Sequence, residues 1–189
     1  IQQGKVDFVA ATYTIDEERD KVVDFAGPYY VAGQQIMVEK GNSLGINGPD
    51  GLAGHKVCTV TGSTPEQNIR ENYPEAAKQL VLFDEYSKCA DALQNGQVDA
   101  VTTDNVILSG FVFQSPDEFE IVGKTFTEEP YGIGVQQGDT EFCEFVNETL
   151  NKLYENGQWA KAYDSSIGKV AGKAPEPPAT GSCTTPGAE

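Results

Sequence analysis

Strand-sized apolar segments alternate with helical segments along most of this chain, and the alternation limits the folds that it can adopt. Gln34–Glu39 and Leu80–Phe83 have the length and composition of strands, and Tyr86–Gln94 has the pattern of a helix. The strongest helical pattern lies at 140–156, where apolar side chains recur at spacings of three and four residues. This succession predicts an α/β architecture with largely parallel strand pairing.

A nine-residue sequence occurs twice in similar form. IQQGKVDFV at 1–9 and LQNGQVDAV at 93–101 share Gln, Gly, Val, Asp and Val in register. Each is typical of a helix end, a glycine turn and an apolar strand. The repeat indicates either two similar α/β lobes or a chance similarity in a common connection. With two lobes, Thr12 and Asp104 lie at equivalent points just past the carboxyl ends of strands, where open α/β sheets bind ligands.

Charge and motif content argue against several classes of function. The chain carries 13 basic and 29 acidic side chains, a formal charge of −16, which repels phosphate backbones, so nucleic acid is not an expected partner. No apolar run approaches the roughly 20 residues that cross a bilayer. The only histidine is His55, and no GxSxG, HExxH or zinc-binding spacing occurs. We therefore expect no catalytic centre, no metal and no cofactor.

The four cysteines are widely spaced, which leaves two interpretations: buried free thiols, or two disulfides formed in an oxidising compartment. We favour disulfides. Cys58 and Cys89 lie in one α/β segment. Cys143 lies in a late helix and Cys183 in a Pro/Gly-rich tail that needs a crosslink to be held in place. Although four cysteines allow three pairings, we expect Cys58–Cys89 and Cys143–Cys183.

The segment from Thr12 to Arg19 follows a strand and opens a short helix. A helix start presents free N–H groups to an anion, Thr14 adds a hydroxyl group, and Arg19 supplies a fork that matches a carboxylate. The alternative is that Arg19 is a solvated side chain in the charged run at 17–21. The segment is thus one candidate for a carboxylate site.

Two further polar groups follow predicted strands. Ser63 and Thr64 lie between a strand and a helix that begins near Pro65, where their hydroxyl and N–H groups can hold a carboxylate or an amide. The alternative is an ordinary helix N-cap. Asp104 follows the strand at 99–103 and can accept hydrogen bonds from an ammonium group, or it can cap the next helix.

The remaining polar and aromatic clusters are assigned structural roles. The acidic pairs at 17–18 and 128–129 are interpreted as solvated faces. Three aromatic residues are interpreted as core: Phe25, Tyr29 and Tyr30. Neither set is expected to carry chemistry.

Several segments jointly resemble the bacterial extracellular solute-binding proteins for polar amino acids (family 3). They are VDFVAATYTIDEERDKVVDFAGPYY at 6–30, VCTVTGST at 57–64, VDAVTTDN at 98–105, YGIGVQQGD at 131–139 and LNKLYENGQWAKAY at 150–163. They cover nearly all of 1–165 in the family's order. The chain is most similar to the glutamate-binding members from actinobacteria, which serve ABC importers.

The resemblance implies a two-lobe, periplasmic-binding-protein-like (type II) fold with two crossover strands. Lobe 1 then comprises 1–36 and 131–189, and lobe 2 comprises 37–130. The family has a further β-α-β unit before position 1, so lobe 1 is expected to be incomplete. The tail from Lys173, rich in Pro, Gly, Ala and Thr, is expected to be irregular.

The resemblance also implies a ligand site. It assigns the α-carboxylate of an amino acid to Thr14 and Arg19, and the α-amino group to Asp104 and the carbonyl of Thr12. One cation then faces an anion and one carboxylate faces an ammonium group, an arrangement that is electrostatically consistent.

Ser63 and Thr64 are assigned by the resemblance to the side-chain end of the ligand. Two hydroxyl residues at a helix start suit a γ-carboxylate, so L-glutamate is the expected ligand, with glutamine and aspartate as neighbours. The further implications are an extracellular, monomeric protein at the cell surface, anchored by an N-terminal lipid absent from this chain. Its partners would be the permease subunits of an ABC importer.

Three other functions are consistent with the same residues. The chain can be the ligand-binding domain of a sensor or receptor. It can be a dehydratase-like enzyme on the same fold, for which Asp104 is the one candidate acid or base. It can also be a structural cell-surface protein, for which replacing Arg19 would change no small-molecule binding.

Overall fold

The computed structural model describes residues 1–183, and the chain forms two compact units. Unit 1 combines Ile1–Ala32 with the chain from Glu129 onward, and unit 2 is the continuous stretch Gly33–Glu128. The chain therefore passes from one unit to the other twice, at the two ends of unit 2.

Strands and helices follow one another along both units. The strands are β1 (Phe8–Thr14), β2 (Val23–Ala32), β3 (Gln34–Glu39), β4 (Val57–Val60), β5 (Leu80–Phe83), β6 (Ala100–Asp104), β7 (Phe119–Val122) and β8 (Glu129–Gln136). The helices are α1 (Glu17–Asp20), α2 (Thr64–Asn72), α3 (Pro74–Ala77), α4 (Tyr86–Gln94), α5 (Asn105–Gln114), α6 (Thr140–Glu155), α7 (Gln158–Ser165) and α8 (Gly168–Ala171), with a 3₁₀ turn at Pro49–Leu52. The predicted bounds of β3, β5 and α4 are confirmed.

Unit 1 is built on a three-stranded antiparallel sheet in the order β1-β8-β2. The sequence did not predict β2, because Gly27 and Pro28 interrupt its alternation and proline cannot donate a ladder hydrogen bond. Phe25 of this strand is buried as expected. Ala32, the last residue of β2, faces Glu129, the first residue of β8.

Both outer strands of this sheet depart from regular pairing opposite the same part of β8. Val9 and Tyr13 of β1 are four residues apart, but their partners on β8, Gly134 and Gly132, are only two residues apart. In the same way, Ala26 and Tyr30 of β2 are four residues apart, and their partners Ile133 and Tyr131 are two residues apart. Each outer strand therefore bulges, and the two bulges lie on either side of one short stretch of β8.

An irregular tail is crosslinked to α6 in unit 1. Cys143 of α6 and Cys183 of the tail form a disulfide and share a buried cluster with Ala26. The N–H of Gly181 donates to the carbonyl of Gly27 in the β2 bulge at 2.6 Å. The predicted pairing of Cys143 with Cys183 is confirmed, and so is the irregular course of the tail as far as Cys183; the predicted tail at 184–189 lies outside the described residues.

Unit 2 contains a five-stranded mixed sheet in the order β5-β4-β6-β3-β7. β4 pairs in parallel with β5 and β6, whereas β3 runs antiparallel to β6 and β7. Across the described residues, four of the six strand pairings are antiparallel, so the prediction of largely parallel pairing is wrong. The cause is connectivity, because β2, β3 and β8 are not joined by helical βαβ crossovers.

The sheet of unit 2 is covered on both faces. Alternate residues of β3 enter different buried clusters, with Met37 in one and Ile36 and Val38 in the other. The Met37 cluster contains the disulfide between Cys58 and Cys89, so the second predicted pairing is confirmed as well.

Candidate ligand-binding site

The start of α1 in unit 1 orders Arg19. Asp16 caps this helix by accepting hydrogen bonds from the N–H of Glu18 at 3.0 Å and of Arg19 at 2.8 Å. The guanidinium of Arg19 then folds back: Nη1 donates to the carbonyl of Thr14 at 2.8 Å, and Nε lies 3.2 Å from Asp16 Oδ2. Its Cζ atom lies 4.9 Å from the centre of the Tyr13 ring. Arg19 is thus held against β1 and is not a freely solvated side chain.

The contacts of Arg19 leave much of its hydrogen-bonding capacity for a ligand. A guanidinium has five N–H groups in a fixed fork. The contacts with the carbonyl of Thr14 and with Asp16 use two of them within the described residues. The Arg19 side chain retains 22% of its exposure, so the remaining donors are accessible.

The hydroxyl group of Thr14 is hydrogen-bonded to a buried carboxylate. Its hydroxyl donates to Glu129 Oε2 at 2.8 Å, and Glu129 is 4% exposed. The interpretation of 128–129 as a solvated pair is therefore wrong for Glu129, which begins the central strand β8. Sequence reasoning missed this residue because acidic pairs are usually exposed. While the Thr14 hydroxyl proton points to Glu129, the guanidinium of Arg19 is the stronger donor for a ligand carboxylate.

Thr12 lies inside β1, within the bulge, and not past the end of the strand as predicted. It is exposed and has φ +45°, an uncommon conformation for a residue other than glycine. Burial raises the pKa of the Tyr29 hydroxyl in the β2 bulge.

At the start of α2 in unit 2, backbone N–H groups are hydrogen-bonded by side chains of the same segment. Ser63 Oγ accepts from the N–H of Glu66 at 3.2 Å and donates to the carbonyl of Val60 at 2.7 Å. Glu66 reaches back to accept from the N–H of Gly62, the residue before the N-cap, at 2.7 Å. The alternative role of Ser63 as a helix N-cap is therefore what the structure shows, and Thr64 is the first helical residue.

Glu66 places a negative charge at this helix start. Burial opposes ionisation of its carboxyl group, but the hydrogen bond from Gly62 and the contact with Arg70 outweigh burial and lower the pKa. Helix N-termini attract anions, and here a side chain of the protein already fills that position. An incoming ligand group meets hydroxyl groups beside a fixed carboxylate.

Asp104 is the last residue of β6 and is 4% exposed. It occupies the N-cap position of α5, yet its side chain makes no capping hydrogen bond, so the capping alternative is not what the structure shows. β4 and β6 are parallel neighbours, which places their carboxyl ends at one edge of the sheet. Ser63, Thr64 and Asp104 therefore follow the same edge, the position where α/β sheets bind ligands.

Gln34 is a buried residue of this edge that sequence reasoning missed. It faces Asp104 across the β3–β6 ladder and is fully buried. Its amide nitrogen donates to Thr102 Oγ1 at 2.9 Å, and its oxygen accepts from Asn68 of α2 at 2.7 Å. Gln34 thus ties the helix that carries Thr64 to the strand that carries Asp104. Glutamine at the start of a strand carries no signal by which sequence alone identifies it.

Residues 1–183 contain no helix with the length and apolar character to cross a membrane. In the same part of the chain, no group of three or more His, Cys, Asp or Glu side chains is arranged to hold a metal ion.

The mixed α/β fold is that of the periplasmic amino-acid-binding proteins. An ancestral arginine-binding protein bound to arginine superposes with a TM-score of 0.82 at 42% identity, covering 87% of this chain and 73% of that one. The model of the bacterial extracellular solute-binding proteins, family 3, matches residues 1–169, and the chain belongs to this family.

Two curated relatives are similar over most of the chain. The ABC transporter glutamine-binding protein GlnH of Bacillus subtilis is 42% identical over 168 residues, which cover 88% of this chain and 60% of the relative. The glutamate-binding protein GluB of Corynebacterium efficiens is 38% identical over 174 residues, which cover 89% of this chain and 58% of the relative. The chain thus spans about three fifths of the length of these relatives.

Proposed function

We propose that this protein is the extracellular substrate-binding component of an ABC amino-acid importer. Units 1 and 2 are its two lobes, and each contributes residues that bind the ligand. Membership of the solute-binding family supports this function, as do relatives named for glutamine and glutamate binding. The protein acts as a monomeric binding protein rather than an enzyme, is anchored at the cell surface by a lipid, and delivers its ligand to permease subunits.

The observation that carries the proposal is the placement of Arg19. Its guanidinium is fixed against β1 by Asp16 and the carbonyl of Thr14, at 3.2 and 2.8 Å, while donors of its fork remain accessible. A carboxylate that binds this fork gains charge-assisted hydrogen bonds without the cost of ordering the arginine. Arg19, supported by Thr14, thereby binds the α-carboxylate of an amino acid.

The opposite charge of the ligand is matched in unit 2. Asp104, buried at the sheet edge, accepts hydrogen bonds from the α-amino group together with the carbonyl of Thr12. A carboxylate is electrostatically complementary to an ammonium group, which favours an amino acid over a neutral ligand.

Ser63 and Thr64 contact the side-chain end, with L-glutamate as the proposed ligand and glutamine and aspartate as competitors. Glutamine is the strongest competitor, because Glu66 accepts from Gly62 at 2.7 Å and puts a negative charge beside these hydroxyl groups. A neutral amide is not repelled by that charge and can donate to hydroxyl oxygens, whereas a γ-carboxylate needs donors, and Ser63 Oγ already donates to the carbonyl of Val60.

Calorimetric titration of the full-length protein against glutamate, glutamine, aspartate and arginine tests the proposal. Arg19→Ala should weaken binding about 30-fold or more, since a charge-assisted pair of this kind is worth about 2–5 kcal/mol. Lys152→Ala is the control, because Lys152 is an exposed cation paired with Glu148 at 3.5 Å on the surface of α6. Silence with all four amino acids in a folded sample would refute the function, and equal losses in both variants would refute the role of Arg19.

A further inference from the structure

Glu129 is a buried acidic residue of unit 1 that has no part in the proposed function. It is 4% exposed, whereas the adjacent Glu128 is exposed. Acidic side chains are seldom buried unless they are paired or used. Glu129 is the first residue of β8, and Thr14 at the end of β1 pairs with Tyr131 two residues further along the same strand. The buried carboxylate therefore lies beside the end of β1, where the segment that carries Arg19 begins.

Thr14 is hydrogen-bonded at both its backbone carbonyl and its hydroxyl group. The carbonyl accepts from Arg19 Nη1 at 2.8 Å, and the hydroxyl donates to Glu129 Oε2 at 2.8 Å. The backbone that follows is held by β8 as well, because the N–H of Ile15 donates to the carbonyl of Pro130 at 2.8 Å. Thr14 thus supports Arg19 through its carbonyl, and that support does not require the hydroxyl group.

The contact with Glu129 fixes the direction of the Thr14 hydroxyl proton. A hydroxyl group has one proton to donate and two lone pairs with which to accept, whereas an ionised carboxylate can only accept. Because the proton is given to Glu129, the hydroxyl oxygen can meet a ligand only as an acceptor. An acceptor suits the N–H groups of an ammonium ion and does not suit the oxygen of a ketone, which needs a donor.

We propose that Glu129 is a positioning residue that determines selectivity for amino acids: it holds the Thr14 hydroxyl as an acceptor, so that the site disfavours 2-oxo acids with the same side chain. This inference rests on the proposed function, in which Thr14 belongs to the ligand site. It adds a residue that acts on the ligand through Thr14, and it explains why an acidic side chain is buried at the start of β8.

The test compares two adjacent glutamates. Glutamine at position 129 keeps the size of the side chain but can either donate to the Thr14 hydroxyl or accept from it, so the direction of the proton is no longer fixed. The full-length protein is titrated calorimetrically with two pairs of ligands, L-glutamate with 2-oxoglutarate and L-glutamine with 2-oxoglutaramate. Each 2-oxo acid carries a ketone in place of the ammonium group.

Glu129→Gln should weaken binding of the amino acid about three- to tenfold, the effect of one hydrogen bond. The preference for the amino acid over its 2-oxo acid should fall by at least as much, because the Thr14 hydroxyl can then donate to the ketone. Glu128→Gln is the matched control, since it removes an equal charge from an exposed position one residue away. It should change both affinities by less than about twofold.

A valine at position 14 separates the direction of the proton from the charge of Glu129. In a Thr14→Val background there is no hydroxyl group to orient, so Glu129→Gln should change neither the affinity for the amino acid nor the preference by more than about twofold. The preference is a ratio of two affinities measured on one sample, so partial unfolding of a variant does not alter it.

Three results would overturn the inference and leave the proposed function intact. They are unchanged binding in Glu129→Gln, equal changes in Glu129→Gln and Glu128→Gln, and an effect of Glu129→Gln that persists in full in the Thr14→Val background. A wild-type protein that binds no amino acid would overturn both the inference and the proposed function.

Discussion

Removing the crosslink between Cys143 and Cys183 should destabilise unit 1 through its tail. In the variant Cys143→Ala/Cys183→Ala the tail keeps its hydrogen bonds, such as Gly181 to Gly27 at 2.6 Å, but loses its covalent tie to α6. Asn147 of α6 also donates to the carbonyl of Gly181 at 3.1 Å. The variant therefore isolates the contribution of the crosslink.

The size of the effect follows from the length of the closed loop. Cys143 and Cys183 are 40 residues apart. In the chain-entropy treatment, a loop of this length raises the free energy of unfolding by about 4 kcal/mol. The separation of 31 residues between Cys58 and Cys89 gives almost the same value, so the two disulfides form a matched pair in different units.

The assay is urea unfolding followed by tryptophan fluorescence. Trp159 is the only tryptophan of the chain and lies in α7, where it is bonded to Tyr29, so its emission reports on unit 1. We expect the unfolding free energy from this signal to fall by about 2–4 kcal/mol in Cys143→Ala/Cys183→Ala. The matched variant Cys58→Ala/Cys89→Ala should lose a similar amount by far-ultraviolet circular dichroism. A loss below about 1 kcal/mol in the first variant would refute the assignment of the tail as a structural part of unit 1.

Two further predictions concern unit 2. Gln34→Leu removes a buried amide and leaves Asn68 and Thr102 without its hydrogen bonds, so the free energy of unfolding should fall by about 2–4 kcal/mol in chemical denaturation; no loss would contradict the tie between α2 and β6. The lowered pKa of Glu66 stabilises the folded state above the ordinary carboxyl pKa of 4.5, and this contribution is lost as pH falls from there through the folded value. Thermal melts should therefore show a steeper loss between about pH 5 and pH 3 for wild type than for Glu66→Gln, and parallel curves would refute the assignment.

Sequence periodicity was sufficient where an element packs in a regular way. Gln34–Glu39 and Tyr86–Gln94 were predicted to the residue, because each carries an uninterrupted pattern and packs on one or both faces. Val23–Ala32 was missed because Gly27 and Pro28 break the pattern, and the strand is completed only by hydrogen bonds from distant residues. Tertiary contacts determine whether such a segment forms a strand, and the local sequence does not show those contacts.

In the candidate site, too, sequence analysis identified the features that depend on local signals and missed those that depend on tertiary contacts. The helix start that presents Arg19 and the strand that ends at Asp104 were visible in the sequence, since both depend on local signals. Burial of Glu129 and of Gln34 depends on strands that meet only after folding. The helix cap at Ser63 was one of two alternatives, and the structure decided between them.

The facing pair of Ala32 and Glu129 has a consequence for biogenesis. It makes unit 2 an insertion into what is otherwise a β-hairpin, so β1 and β2 are synthesised long before their common partner β8. Unit 2 is one continuous stretch of chain and can fold as soon as it leaves the ribosome. The two outer strands of unit 1 have no partner strand until β8 is made, so their edges stay exposed. Open edges of this kind invite pairing with other chains. The time during which β1 and β2 can pair wrongly is therefore set by the length of the inserted unit. A chaperone that protects this nascent chain would have to bind β1 and β2.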